Sequence, residues 1–162
     1  MSESRRFPAE SAPDRLWHRT LIAAVRFRAW LLGSVYTAGA LAIVSSSERR
    51  ILLVRPRYRA GWGLPGGYMR PREQPAAALR RELAEEVGLD SPVDQQLLAV
   101  YVQEQRRHID HLYLVEVTGE SDANRTARYE LADARWFDTD ALPPLQPEAL
   151  AALQRWSPEA SP

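Results

Sequence analysis

Residues Gly66 to Leu89 read GGYMRPREQPAAALRRELAEEVGL. Pro75 suits the first turn of a helix and Gly88 the position just past its end, so the stretch predicts a helix between them. On that helix Ala76, Leu79, Leu83 and Val87 form an apolar stripe. Glu82, Glu85 and Glu86 stand beside it at i, i+3 and i+4, so their carboxylates fan over about 100° of one face. Like charges at that spacing cost roughly 0.2–0.5 kcal/mol per pair in isolated helices. The stripe fixes the helix on a core and aims three carboxylates along its edge. Either this is a solvated acidic face with Arg81 paired to Glu85, or something positive compensates the repulsion.

Outward from the helix, the chain alternates strands and helices irregularly. Val35–Val44 and Ile51–Arg55 are apolar runs joined by the polar SSSERR and read as a strand pair. PRYRAGWGLPGG then reads as a loop leading into the helix. Leu97–Gln105 and Ile109–Val117 are the next strands, with RRH at their turn, followed by a short strand at Ala134–Phe137 and a closing helix over Pro147–Trp156. No internal repeat is present. The order predicts an α/β (α+β) domain with a mixed sheet and helices on its faces. Residues 1–13, rich in Ser, Glu, Arg and Pro, read as a disordered tail. Residues 14–32 read as an amphipathic helix, capped by Asp14 and stopped by Gly33, with Trp17, Leu21, Ala24, Phe27 and Leu31 on its apolar face. That face is expected to pack on the domain or on a second subunit, so a homodimer is one of the two arrangements it allows. Residues 33–157 form the main domain and 158–162 a short tail.

At 162 residues the chain fits one such domain. Its 21 basic and 21 acidic residues cancel, so no global field draws it to nucleic acid or membrane. All the basic residues are arginine, a bias that fits a GC-rich genome and also suits bidentate phosphate contacts. Without cysteine there is no disulfide or thiolate metal site, so a metal here would need hard oxygen ligands. Ala29 to Ser47 carries no charge, but its glycines and serines dilute it, and Val35–Val44 reads as a strand rather than a membrane span. The segment also follows a polar leader, ill placed for a signal peptide. A cytoplasmic location follows as the expectation.

Gly67, five residues, Glu73, seven residues, then Arg81-Glu82-Leu83-Ala84-Glu85-Glu86-Val87-Gly88-Leu89 resembles the signature of the Nudix hydrolases, GX5EX7REUXEEXGU with U apolar, at every defined position. The LPGG of Leu64 to Gly67 and the ARWF of Ala134 to Phe137 are also similar to that family, and the likeness spans Val35 to Trp156. The resemblance implies an α-β-α sandwich, here with the N-terminal helix as an extra. It implies an enzyme that hydrolyses a nucleoside diphosphate linked to another moiety, using magnesium or manganese. By the same matching Glu82, Glu85 and Glu86 are metal ligands and catalytic residues, Gly67 offers its backbone carbonyl to the metal, and Glu73 and Arg81 orient the glutamates. Glu86 is the first choice as general base. Glu130, shortly before ARWF, lies where some relatives carry a further metal-binding or catalytic glutamate; Glu104 is a weaker candidate.

For the substrate, a nucleotide-type small molecule, Arg55, Arg57 and Arg59 alternate near the signature and could reach phosphates, as could Arg106 and Arg107. Tyr68, with Tyr58 and Tyr129, could stack on a base. Trp62 and Trp136 read as structural, and His108 and His111 as ordinary turn and strand histidines. Markers of ADP-ribose, dinucleoside polyphosphate and NADH subtypes are absent, so the substrate stays open. Two rival functions remain beside the enzyme: a catalytically silent nucleotide sensor on the same fold, and a partner-binding protein working through its N-terminal helix.

Overall fold

In the computed structural model, residues 36–89, 94–119 and 130–156 are described. The expected N-terminal tail and helix, Tyr129 and the segment 158–162 lie outside them. Strand β1 (Thr37–Ser46) forms the spine of a six-stranded mixed sheet. Ala40, Ala42 and Val44 face one side and Ile43 the other, all fully buried, as expected of a strand covered on both faces. β2 (Arg50–Pro56) returns antiparallel to β1, giving the expected strand pair. The order across the sheet is β4 (Gln95–Gln103), β5 (His108–Val117), β1, β2 and β6 (Leu131–Asp138), with β3 (Gly66–Tyr68) also pairing β1. β5 runs parallel to β1 over ten residue pairs, which makes the sheet mixed.

Two helices cover opposite faces. α1 (Pro75–Val87) lays Ala78, Leu79, Leu83 and Val87 on Ala40, Ala42, Val44, Tyr113 and Val115. α2 (Pro147–Arg155) lays Ala149, Ala152 and Leu153 on Ile43, Ile51, Leu53, Leu112 and Leu114. Gly88 ends α1 in the left-handed region at φ 72°, where glycine is favoured, and the N–H of Leu89 donates to Leu83 O at 3.1 Å. The uncharged stretch beginning at Ala29 is, in its described part, strand and turn. No described helix is long and apolar enough to cross a membrane.

The structure differs from the sequence reading in three places. β3 lies within the stretch read as a loop: Gly66, at φ 131°, brings the chain so close to β1 that an added Cβ would collide with the backbone of Ala40 and Leu41. β6 is longer than Ala134–Phe137 because its backbone ladder follows β2 from Arg50↔Asp138 to Pro56↔Leu131, with Asp138 and Asp133 near Arg50 and Arg55 at 3.4 and 3.8 Å. β4 runs Gln95–Gln103 and not to Gln105, because the chain turns at Glu104–Arg106, and its Val100 and Val102 are exposed on an edge strand.

Candidate active site

The site grows from the contact between β3 and α1. Gly66 and Gly67 let this short strand lie beneath the helix: a Cβ on Gly67 would stand 2.6 Å from Cδ of Glu82. The N–H of Gly66 donates to Glu86 Oε2 at 2.9 Å. Two glycines thus hold the two glutamates that are one helical turn apart, and neither position admits a side chain without displacing its neighbour.

Arg81 organises the other half. Its Nε and Nη2 donate to the two oxygens of Glu73 at 2.8 and 2.9 Å, a bidentate pair, and Nη1 donates to Glu82 Oε1 at 2.7 Å. Nη2 also donates to Tyr68 O at 3.1 Å, and Nη1 reaches Glu85 Oε2 at 3.4 Å. The N–H of Arg70 donates to Glu73 Oε2 at 2.7 Å. These donors, Arg81 first, hold the Glu73 carboxyl down at about 2. Arg81 is fixed by Glu73 and in turn bonds Glu82.

Charge at the centre remains in excess. Burial, together with the nearby Glu82, Glu130 and Glu85, pushes the Glu86 carboxyl up to about 8 despite the N–H of Gly66. Burial also raises Glu82, with Arg81 opposing and Glu85 and Glu130 reinforcing the shift. Glu130 therefore belongs to the same electrostatic cluster, although it is far from the signature in sequence. Tyr58 joins it: partial burial first, then Glu130 and Glu86, raise its phenol. Glu85 is the outlying member, exposed and contacted by Arg70 and Arg81.

This donor set fits a hard divalent cation. A carboxyl group that burial and neighbouring glutamates leave protonated near neutrality is one that a cation would hold ionised. Among the described residues no three carboxylate, imidazole or thiolate groups form a ready cage. Magnesium does not require one, since it is commonly held by one or two carboxylates with waters and substrate phosphates. Glu82 and Glu86, with Gly67 beside them, are the residues that would hold it.

The remaining predicted residues divide. Tyr68 follows Gly67 directly and is 62 % exposed. Arg57 donates its backbone N–H to Glu130 O at 3.0 Å, and its buried Nε has no hydrogen-bond partner among the described residues. Arg59 is engaged elsewhere: it and Arg106 both hold Glu148, at 3.0 Å each. Arg55 lies over the Trp62 ring at 5.6 Å and near Asp133. Trp62 and Trp136 pack against the two cores, as read. Glu104 is in a single 3-10 turn between β4 and β5. Arg70 and Tyr58 gain their places from folding, because Arg70 lies inside the spacer of the motif and Tyr58 precedes it by a loop. His108 pairs with Asp110, a carboxylate two residues on within an apolar strand; that i, i+2 spacing was the available signal.

Comparisons with known proteins agree with this geometry. A model of the NUDIX domain matches residues 35–158. A protein of Bacillus subtilis (strain 168), named as a candidate 8-oxo-dGTP diphosphatase, is 33 % identical over 110 residues, covering 67 % of this chain and 71 % of its own. Human diphosphoinositol polyphosphate phosphohydrolase 2 is 37 % identical over 82 residues, 50 % of this chain and 45 % of its own, so the match spans less than half of that relative. The crystal structure of a MutT NUDIX hydrolase from Burkholderia pseudomallei shares 26 % identity at a TM-score of 0.59, covering 76 % of this chain and 99 % of that one.

Proposed function

Since the chain belongs to the NUDIX domain family and is a Nudix hydrolase, we propose that it cleaves the diphosphate bond of a nucleoside diphosphate linked to another moiety, with magnesium or manganese at Glu82 and Glu86. The observation that carries this reading is the gathering of Glu86 and Glu82 at Gly66 and Gly67, with Glu130 in electrostatic reach of both and only Arg81 bonded to the pair in opposition. A solvated acidic face would not bury a carboxyl among like charges, as Glu86 is buried here. The bound ion would neutralise the diphosphate oxygens and orient the attacking water.

The chain's own residues do the rest. Glu73 locks Arg81, and Arg81 holds Glu82 toward the diphosphate. Gly66 fixes the direction of the Glu86 carboxyl. A carboxylate accepts the proton of the attacking water as its oxygen bonds to phosphorus and the bond from phosphorus to the bridging oxygen breaks. Glu86 is assigned that role, with Glu130, within its electrostatic reach, as the next candidate. Arg57, whose buried Nε has no hydrogen-bond partner among the described residues, is the candidate to turn its guanidinium to a phosphate oxygen, and Tyr68 offers its exposed ring to the group beyond. The reading places the protein in the cytoplasm, where its nucleotide substrates are.

The test is hydrolysis of a nucleotide panel with magnesium and with manganese. Phosphate or nucleoside monophosphate release that disappears on chelation supports the proposal. A chain that binds nucleotides yet releases nothing with either ion would be a sensor and not an enzyme.

A further inference from the structure

Behind Tyr68, on the side of β3 away from Glu82, lies a polar network that the hydrolysis does not use. Tyr68 stands opposite Gly39 of β1, and Asp110 of β5 stands opposite the same glycine from the other edge. With no side chain at Gly39, residues from β3 and β5 approach one another across the intervening strand. The rings of Tyr68 and His108 meet edge to face with centroids 5.3 Å apart. A Cβ on Gly39 would come within 3.0 Å of Asp110 Oδ1 and 3.2 Å of His108 Nε2.

The His108 ring is held at both nitrogens. Nε2 donates to Asp110 Oδ1 at 2.8 Å, and Nδ1 lies 2.7 Å from Thr37 Oγ1. Asp110, only 8 % exposed, accepts a second bond on Oδ2 from Gln103 Nε2 at 2.7 Å. Burying a carboxylate is costly unless its lone pairs are met, and here two side chains from β4 and β5 meet them. The result is an imidazole that cannot rotate, set against a tyrosine ring that is itself mostly open to solvent.

We propose that His108, fixed by Asp110, Gln103 and Thr37, is a positioning residue for Tyr68, and that the ring so held is a stacking platform for the planar base of a nucleotide substrate. The proposal rests on the hydrolase reading above and narrows its substrate class. A preset aromatic face favours a flat base, because the entropy of ordering the ring is lost on folding and not on binding. A polyphosphorylated alicyclic ring has no flat face to stack, so the platform favours a base over it.

The experiment is a double-mutant cycle on the full chain. Tyr68→Ala should raise KM for a nucleoside triphosphate by roughly tenfold or more, the scale of losing one base stack. It should leave the inhibition constant of inorganic tripolyphosphate, which has no base, within about twofold. His108→Gln should raise KM by about threefold or more while kcat falls by no more than about twofold, and should add nothing in the Tyr68→Ala background. Thr37→Val, isosteric and suited to a strand, should act in the same direction more weakly and serves where His108→Gln fails to fold. Multiplicative effects of the two single variants on KM, or equal losses for nucleotide and tripolyphosphate, would overturn the proposal. Nucleotide binding measured by calorimetry gives the same comparison without turnover, so absent hydrolysis alone would sink the hydrolase reading and leave the platform standing or falling by itself.

Discussion

α1 and α2 each start from a glutamine in extended conformation, Gln74 and Gln146, followed by proline, and neither glutamine makes a side-chain cap. Each lays alanine and leucine on its own face of the sheet, and each carries glutamate near an arginine. Their electrostatics diverge. On α2, Glu148 is held by Arg59 from the loop after β2 and by Arg106 from the turn before β5. Burial would raise its carboxyl, but its own N–H and these arginines more than offset that and lower it. On α1, Arg81 spends its donors on Glu73, Glu82 and the backbone of Tyr68, and Glu86 is left facing carboxylates and pushed up to about 8. The apolar stripe fixes both helices alike; the placement of arginine decides which one stores repulsion. The fold neutralises the glutamate of one helix and leaves carboxylates facing one another on the other.

Replacing Glu86 by Gln gives the largest expected effect. With one ligand gone, and with it the assigned base, turnover should fall by roughly two orders of magnitude or more. The metal-free protein should respond in the opposite sense. The folded pKa of Glu86, about 8, lies above its ordinary value of 4.5. Its contribution to stability is therefore full below pH 4.5 and is lost as pH rises through about 8. Melts in chelator from pH 4.5 to 8.5 should show a stability decline in the parent that Glu86→Gln removes. Equal turnover, or parallel pH curves, would erase the contrast between the helices.

Gly67→Ala strikes the same helix through packing. The new Cβ would meet Glu82 at 2.6 Å from Cδ, so Glu82 must move away from Arg81 and β3. Overpacking of this kind costs about 1–3 kcal/mol, read by denaturant unfolding. Turnover should fall roughly tenfold or more, since small misplacements near reacting groups are expensive. A variant that melts lower but turns over at the parent rate would separate Glu82 from catalysis.

The sequence showed α1, its apolar stripe and its glutamates plainly, because helical periodicity and fixed spacing are local properties. The mixed sheet was legible for the same reason, through its alternating apolar runs. What escaped depends on pairing across distance. β3 exists because Gly66 and Gly67 fit against β1, and neither glycine announces a strand. Arg59 looked as free as Arg57 in sequence, yet Glu148, far along the chain, takes it. Val100 and Val102 have the composition of a buried strand and lie exposed, since sheet order, not hydropathy, puts β4 at the edge. Glu130 was named through the family resemblance and not through local spacing, and it comes within electrostatic reach of Glu86 only in the fold.

Glu73→Gln should have a smaller effect, confined to acid. The Glu73 carboxyl is held down at about 2 by Arg81 and by the N–H of Arg70, against an ordinary value of 4.5. Its contribution is present above pH 4.5 and is lost as pH falls toward 2. Acid unfolding followed by circular dichroism should therefore be less steep in the variant across that window. A midpoint and slope identical to the parent would mean that Arg81 is held by Glu82 alone.

The smallest effect is expected on the neutralised helix. Glu148→Gln removes the charge that Arg59 and Arg106 share, but all three groups are partly solvated, so the loss should be less than about 1 kcal/mol and should shrink in molar salt. Because the Glu148 carboxyl is lowered, its contribution is present above the ordinary carboxylate range and disappears as pH falls through its folded value. Parent and variant should thus converge in acid melts, the reverse of the Glu86 pair, which converge when Glu86 is protonated and part as pH rises. Turnover should stay within about twofold, since nothing on α2 touches the carboxylate cluster. The variant also releases Arg59. If Arg59 can reach a phosphate, its freed guanidinium should lower KM for a nucleotide; if it serves only to fasten α2, KM should not move. The structure favours the second result, because Arg59 reaches both oxygens of Glu148 at 3.0 and 3.1 Å. A drop in turnover as large as that expected of Gly67→Ala would place α2 in the active site and end the division of labour between the two helices.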